Sequence, residues 1–168
     1  MNGEQKDFSS SLSQIRNEPN KPKIAIIYLS FHCEPYIDDV ISGLKRLTYP
    51  RGSVEFVVVD NPHPEHGSSV RYLEENVMPL SGTVIPHTTI LAQKENLGFA
   101  GGNNEGIKWA LENGFDYVFF LNNDAFVAAN CFEPLVEAME SDKTIGVAQS
   151  LLLLHPETDL VNSTGNVF

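Results

Sequence analysis

Short apolar runs alternate along this sequence with segments whose apolar residues recur every three or four positions, and that alternation limits the fold more than any other feature. Residues 23–29 hold Ile24, Ala25, Ile26, Ile27, Tyr28 and Leu29 in unbroken succession. A continuous apolar run of this length reads as a strand buried on both faces. Ile37, Val40, Ile41, Leu44 and Leu47 then follow at helical spacing, with Pro35 placed to suit a first turn. Asp38 and Asp39 at the start and Lys45 and Arg46 at the end complement the helix dipole. Residues 55–60 repeat the strand pattern and end in Asp60. Val70, Leu73 and Val77 predict a second helix that stops before Pro79. Residues 83–91 read as a third strand, weakened by Pro86 inside it. Ile107, Ala110 and Leu111 carry a helix that ends at Asn113 and Gly114, a good C-cap pair. Residues 115–121 are aromatic and β-branched, the pattern of another strand buried on both faces, and they run into Asn122, Asn123 and Asp124. Asn130 and Glu133 stand at capping-box spacing before a last helix with Phe132, Leu135, Val136 and Met139 on its buried side. Residues 145–154 read as a further strand and residues 161–168 as the start of one more. Repeated strand–helix alternation predicts an α/β fold, a mostly parallel sheet with helices on both faces.

The chain has 168 residues, enough for one domain with a real core and marginal for two. Residues 1–22 are polar and read as a flexible tail, leaving residues 23–168 as the domain. A net charge of −11 without any basic block argues against a nucleic-acid or anionic-membrane surface. An acidic protein still binds an anionic ligand where a divalent cation mediates. Cys33 and Cys131 are too few for a disulfide framework and read as buried thiols. No 18-residue apolar run is present to span a membrane, and no basic-then-apolar start marks a secretion signal. A cytoplasmic protein is expected, including one brought to the cytoplasmic face of the membrane by other parts.

Two of the strands end in carboxylates, Asp60 and Asp124, and ligands of open α/β sheets collect just outside the carboxyl ends of the strands. The plain alternative for residues 122–124 is an Asx-rich turn. Between the two carboxylates, residues 93–106 concentrate glycine and asparagine ahead of a helix. Glycine permits close backbone approach and a helix start offers free N–H groups to an anion, although a flexible loop has the same composition. His63 and His66 are three apart and could ligate a metal, but with no third ligand nearby a turn over residues 61–67 is the expectation. The first strand is not followed by Gly-x-Gly-x-x-Gly, and neither a Walker loop nor a Gly-x-Ser-x-Gly elbow occurs. What remains is a pocket of one or two carboxylates, amide side chains and backbone donors, which suits a nucleotide whose phosphates are held through a divalent metal.

Residues 95–104, from Glu95-Asn96-Leu97-Gly98 to Gly102-Asn103-Asn104, resemble the signature of family 2 glycosyltransferases, the inverting GT-A group that includes rhamnosyltransferase-like enzymes. Residues 26–29, 57–61 and 121–124 resemble that family's first strand, its second-strand motif and its variant DXD motif, in the same order. The resemblance covers about residues 23–168. It implies a GT-A fold, and a nucleotide-diphospho-sugar donor whose sugar passes to an acceptor such as a cell-surface polysaccharide or a lipid-linked glycan. It places Leu29 and Ser30 at the nucleobase and Asp60 on the base or ribose. Asn96, Gly98, Gly102 and Asn103 would close over the nucleotide. Asn122 and Asp124 would sit at the sugar and diphosphate, with Asp124 binding Mg2+ or Mn2+.

The sequence departs from that pattern in three places. Residues 62–68 replace the family's usual continuation after Asp60-Asn61, and His32 stands where the family often has Asn. Nothing after Asp124 matches the acidic motif that supplies the family's general base, so no catalytic base is assigned. The chain is therefore expected to be the donor-binding half of such an enzyme, without the acceptor half, inactive in transfer on its own and prone to form homo-oligomers. A non-catalytic nucleotide-sugar-binding module acting with another chain is the alternative. A nucleotidyltransferase would need a basic Gly-rich loop after the first strand, which is absent.

Overall fold

The computed structural model describes residues 21–163. Strand β1 (Ile24–Ser30), helix α1 (Ile37–Lys45), strand β2 (Val54–Asp60), helix α2 (Val70–Asn76), strand β3 (His87–Ala92), helix α3 (Gly98–Glu112), strand β4 (Tyr117–Leu121) and helix α4 (Phe132–Ser141) follow in order. A short antiparallel pair, β5 (Leu152–Leu153) and β6 (Val161–Ser163), comes last. The first four strands form one parallel sheet in the order β3-β2-β1-β4.

That order contains a reversal. The chain steps outward from β1 to β2 to β3, then returns to the far side of β1 with β4. Right-handed crossovers running in opposite directions put their helices on opposite faces of the sheet. Ile26 and Tyr28 of β1 and Phe56 and Val58 of β2 accordingly pack with Ile37, Val40 and Leu44 of α1, Leu73 of α2 and Phe132 of α4. Ala25, Ile27, Leu29, Val57 and Val59 point the other way, to Ala110 of α3. β1 is buried along its whole length, which is why its sequence shows no alternation.

Small residues bring α3 close to the sheet. Gly102, Gly106 and Ala110 fall four apart on its buried side. A Cβ added at Gly106 would lie 2.5 Å from Ile27 Cγ2, and one at Gly102 would lie 2.3 Å from Leu29 Cδ1. The Gly/Asn stretch is thus part of the helix from Gly98 onward, and its later glycines are a packing surface.

Several local expectations need correction. β4 is an edge strand among the described residues: Tyr117, Val118 and Phe119 are half-buried and Phe120 is 51% exposed. An apolar run reads the same at an edge as at the centre of a sheet. β3 starts at His87, after Pro86, whose missing N–H cannot serve the ladder. Residues 145–154 are not a long strand; only Leu152 and Leu153 pair, and with β6. Helix α1 begins two residues past Pro35, at Ile37. The expected capping box at α4 does not form: its N-cap is Cys131, and Glu133 instead accepts the Thr48 hydroxyl at 2.7 Å. Leu111 is 71% exposed, so it does not share the buried side of α3. Cys33 is buried as expected, whereas Cys131 is only half-buried.

Of the tail expected over residues 1–22, all but Lys21 and Pro22 lies outside the described residues, as does the strand expected beyond Ser163. Pro22 O accepts the Tyr49 hydroxyl at 2.8 Å, and the Lys21 ammonium lies over the same ring. No described helix is long and apolar enough to cross a membrane.

Candidate functional site: a cleft at the reversal of strand order

The strand order reverses at β1 and β4, and crevices form at the carboxyl ends of the strands at such a point. A cleft of about 440 Å³ opens there. Leu29 and Phe31 line it from the end of β1, Tyr36 from the approach to α1 and Asn61 from the end of β2. Asn96, Gly98 and Phe99 come from the start of α3, and Asn122, Asn123 and Asp124 from the end of β4.

The turn after β4 sorts its three polar residues. Ala125 N–H donates to Asn122 O at 3.2 Å and closes the turn. Asn123 faces inward: its Oδ1 accepts the Tyr28 hydroxyl at 3.0 Å and its Nδ2 donates to Phe31 O at 3.1 Å. Asn122 and Asp124 on either side are left exposed to the cleft. Tyr28 stays a donor because burial first, and then the neighbouring Cys33, Asp124 and Glu34, push its ionisation far above the ordinary phenol range. Asn123 therefore ties the end of β4 to β1 and fixes where Asp124 stands.

Asp60 is placed differently. It is fully buried and lies behind the cleft wall. Its Oδ1 accepts from Ser30 Oγ at 3.0 Å and from Ser69 N–H at 3.2 Å, and its Oδ2 accepts from Ser68 Oγ at 2.6 Å. A buried carboxylate is tolerable when several donors satisfy it. Asn61, next in sequence, clamps the start of α3: its Nδ2 donates to Gly98 O at 3.0 Å and its Oδ1 accepts Leu97 N–H at 3.4 Å. Asn96 Oδ1 accepts Gly98 N–H at 2.8 Å, and Gly98 has the left-handed φ of +69° that a glycine adopts without strain.

Of the residues expected at the site, Leu29, Asn96, Gly98, Asn122 and Asp124 meet in the cleft. Ser30, Asp60, Gly102 and Asn103 do not line it. Gly102 meets Leu29 and Asn61 at the helix–sheet contact, and Asn103 is 93% buried, given its 7% exposure, with its Nδ2 on Phe99 O at 2.9 Å. Phe31, Tyr36, Asn61, Phe99 and Asn123 line the cleft without having been expected there. Phe31, Tyr36 and Phe99 are 37%, 44% and 67% exposed. Exposed aromatic faces in a cleft offer stacking surfaces to a planar ring.

Asp124 is the charged residue in this lining, and no Lys or Arg joins it. A bare diphosphate would meet a carboxylate there with nothing to offset the repulsion. No cluster of three His, Cys, Asp or Glu side chains among the described residues is arranged to hold a metal ion. One carboxylate with amide oxygens nearby is a hard donor set, and Mg2+ is commonly held by one or two carboxylates together with substrate phosphates. The residues present fit a divalent cation that arrives with a diphosphate, and do not fit one held by the protein alone.

This fold is shared with glycosyltransferases of the GT-A fold. The first 349 residues of S. aureus TarS, in complex with UDP-GlcNAc, superpose with a TM-score of 0.58 at 17% identity, over 80% of this chain and 41% of that one. The mannosyltransferase PcManGT from Pyrobaculum calidifontis, in complex with GDP-Man and Mn2+, gives 0.53 at 20% identity, over 82% and 39%. A longer TarS structure gives 0.56 at 18% identity, over 71% and 20%. Identities this low carry the fold alone, and the chain spans 20–41% of the length of these solved chains. The profile of glycosyl transferase family 2 matches residues 25–160, and the chain belongs to that family. No curated protein matches it in sequence.

Proposed function

We propose that this chain binds a nucleotide-diphospho-sugar in the cleft between β1 and β4, as the donor-binding part of a family 2 glycosyltransferase. The observation that carries the proposal is Asp124, exposed at the switch point and flanked by amide side chains in a cleft without a basic residue. TarS and PcManGT, which share the fold, are seen with UDP-GlcNAc and with GDP-Man and Mn2+.

Each wall has a job in this reading. Phe31, Tyr36 and Phe99 present faces for the base. Asn96 and Gly98 bring the start of α3 over the nucleotide, with Asn61 holding that start in place. Asn122 meets the sugar and diphosphate, and Asp124 holds Mg2+ or Mn2+. The bound cation offsets the charge that builds on the departing nucleoside diphosphate. Ser30 and Asp60 act one layer back: through Ser68 and Ser69, Asp60 fixes the loop after β2 against β1. The acceptor in the whole protein is a saccharide or a lipid-linked glycan, as in polysaccharide biosynthesis, and the work takes place in the cytoplasm or at its membrane face.

Calorimetry with UDP-GlcNAc and GDP-mannose tests the proposal. Binding is expected with Mn2+ or Mg2+ present, and excess EDTA is expected to remove most of the heat. Affinity unchanged by EDTA would overturn the metal's role, and no binding under any condition would overturn the proposal.

A further inference from the structure

The loop after β2 closes on itself beside the cleft. His63 N–H donates to Gly67 O at 2.8 Å and Gly67 N–H returns to His63 O at 2.8 Å. Within this loop His63 Nδ1 accepts two backbone donors, Glu65 N–H at 3.1 Å and His66 N–H at 3.3 Å. An imidazole accepting at Nδ1 carries its proton on Nε2 and is neutral. The same ring packs on Phe31, with centroids 4.4 Å apart, and Phe31 lines the cleft. His63 thus shapes the loop with one nitrogen and backs a wall of the cleft with its face.

Other imidazoles and acidic groups surround it. His66 lies 4.6 Å from it, centroid to centroid, and His32 lies 5.8 Å away. His66 and His32 are themselves stacked at 3.9 Å and 17°. His32 holds a left-handed φ of +55°, and its Nδ1 is 3.1 Å from Glu34 Oε2, which also accepts the Ser69 hydroxyl at 3.0 Å. Glu65 is exposed, Cys33 is buried with its thiol held protonated by burial, and Asp60 is buried behind Ser68 and Ser69. A proton on His63 Nδ1 would turn it from an acceptor into a donor aimed at the Glu65 and His66 N–H groups.

We propose that His63 is a positioning residue for the nucleotide site: its neutral ring shapes the loop and props Phe31, and its protonation undoes both. The inference rests on the reading of the cleft as a nucleotide site. It makes donor binding sensitive to acid.

Two substitutions separate the two jobs. His63→Asn keeps an oxygen where Nδ1 stands, as in an Asx turn, but loses the ring and does not titrate. His63→Phe keeps a ring on Phe31 but loses the acceptor. Affinity for UDP and for GDP with Mn2+ is to be measured on the full chain between about pH 8 and pH 5.5. The wild type is expected to lose about five- to tenfold in affinity on acidification beyond whatever loss His63→Asn shows, one protonation being enough for such a change. At about pH 8, His63→Phe is expected to bind more weakly than wild type because the loop loses its acceptor. Identical pH profiles for wild type and His63→Asn would overturn the inference. Histidine NMR of the chain without nucleotide tests it independently. The Nε2–H tautomer is expected for His63, with Glu65 and His66 amide shifts on acidification that vanish in His63→Asn. An Nδ1–H tautomer would overturn the inference even if UDP binds. Failure of the wild type to bind UDP or GDP at any pH would instead overturn the nucleotide reading, leaving the tautomer and amide shifts to decide the role of His63 in the loop.

Discussion

At the scale of single residues, the two strand-end aspartates differ in kind. Asp124 is exposed in the cleft, while Asp60 is buried and engaged by Ser30, Ser68 and Ser69. Asp124→Ala is expected to leave the thermal unfolding midpoint nearly unchanged and to abolish metal-dependent nucleotide binding in calorimetry. Asp60→Ala leaves buried donors without an acceptor and is expected to cost about 1–3 kcal/mol in a denaturant titration. It should also weaken nucleotide binding while leaving the metal dependence of the remaining binding unchanged. The same metal dependence in both variants would show the division of roles to be wrong. The buried acidic hydrogens set a second expectation. Burial pushes the Cys131 thiol up to about 12, raises Cys33, and raises Tyr28 further still. The folded chain keeps these protons where the unfolded chain releases them, so their contribution is full below about pH 9 and declines as the pH rises toward 12. The midpoint of thermal unfolding is expected to fall across that window, and thiol reagents are expected to modify the native chain slowly at neutral pH. Rapid labelling of Cys33 in the folded state would contradict the burial described.

At the scale of elements, helix α3 decides which residues reach the cleft. Gly106→Ala is expected to destabilise the chain by about 1–3 kcal/mol, because the added methyl meets Ile27 in a core that cannot yield. At Gly102 the added methyl meets the end of Leu29, a cleft residue, so Gly102→Ala is expected to weaken nucleotide binding more than it lowers stability. Paired denaturant and binding titrations of the two variants check the contrast. This helix also explains how much of the site the sequence revealed. Asn122 and Asp124 are legible at the cleft because a strand end is fixed by where its apolar run stops, whereas Leu29 is placed there only by the family resemblance. Gly102 and Asn103 are not legible, because a Gly/Asn stretch looks alike whether it wraps a ligand or packs on a sheet. Phe31, Tyr36 and Phe99 are not legible for a related reason: an aromatic residue in sequence is indistinguishable from core until its exposure is known. The strands follow the same logic. β1 and β2 announced their burial by unbroken apolar runs, but β4 carried the same pattern to an edge, where Phe120 is half exposed.

At the scale of the whole molecule, the strand ends and the start of α3 enclose the cleft, and apolar surface lies open elsewhere. Leu151, Leu152, Leu153 and Leu154 are 41–57% exposed, Leu160 and Val161 are each 51% exposed, and β4 presents an unpaired edge among the described residues. Open apolar surface and an open strand edge both favour association. Light scattering is expected to show a dimer or larger species that grows with concentration, and a monodisperse monomer at high concentration would contradict this. The central claim is narrower: metal and nucleotide occupy one cleft, and each needs the other there. Paramagnetic broadening by Mn2+ tests it directly on the 15N-labelled chain. With UDP present, substoichiometric Mn2+ is expected to broaden the amides of Asn122, Asn123, Asp124 and Phe31, and without UDP those amides should remain sharp. Broadening of the same amides by Mn2+ alone, or broadening confined to other carboxylates when UDP is present, would contradict the account.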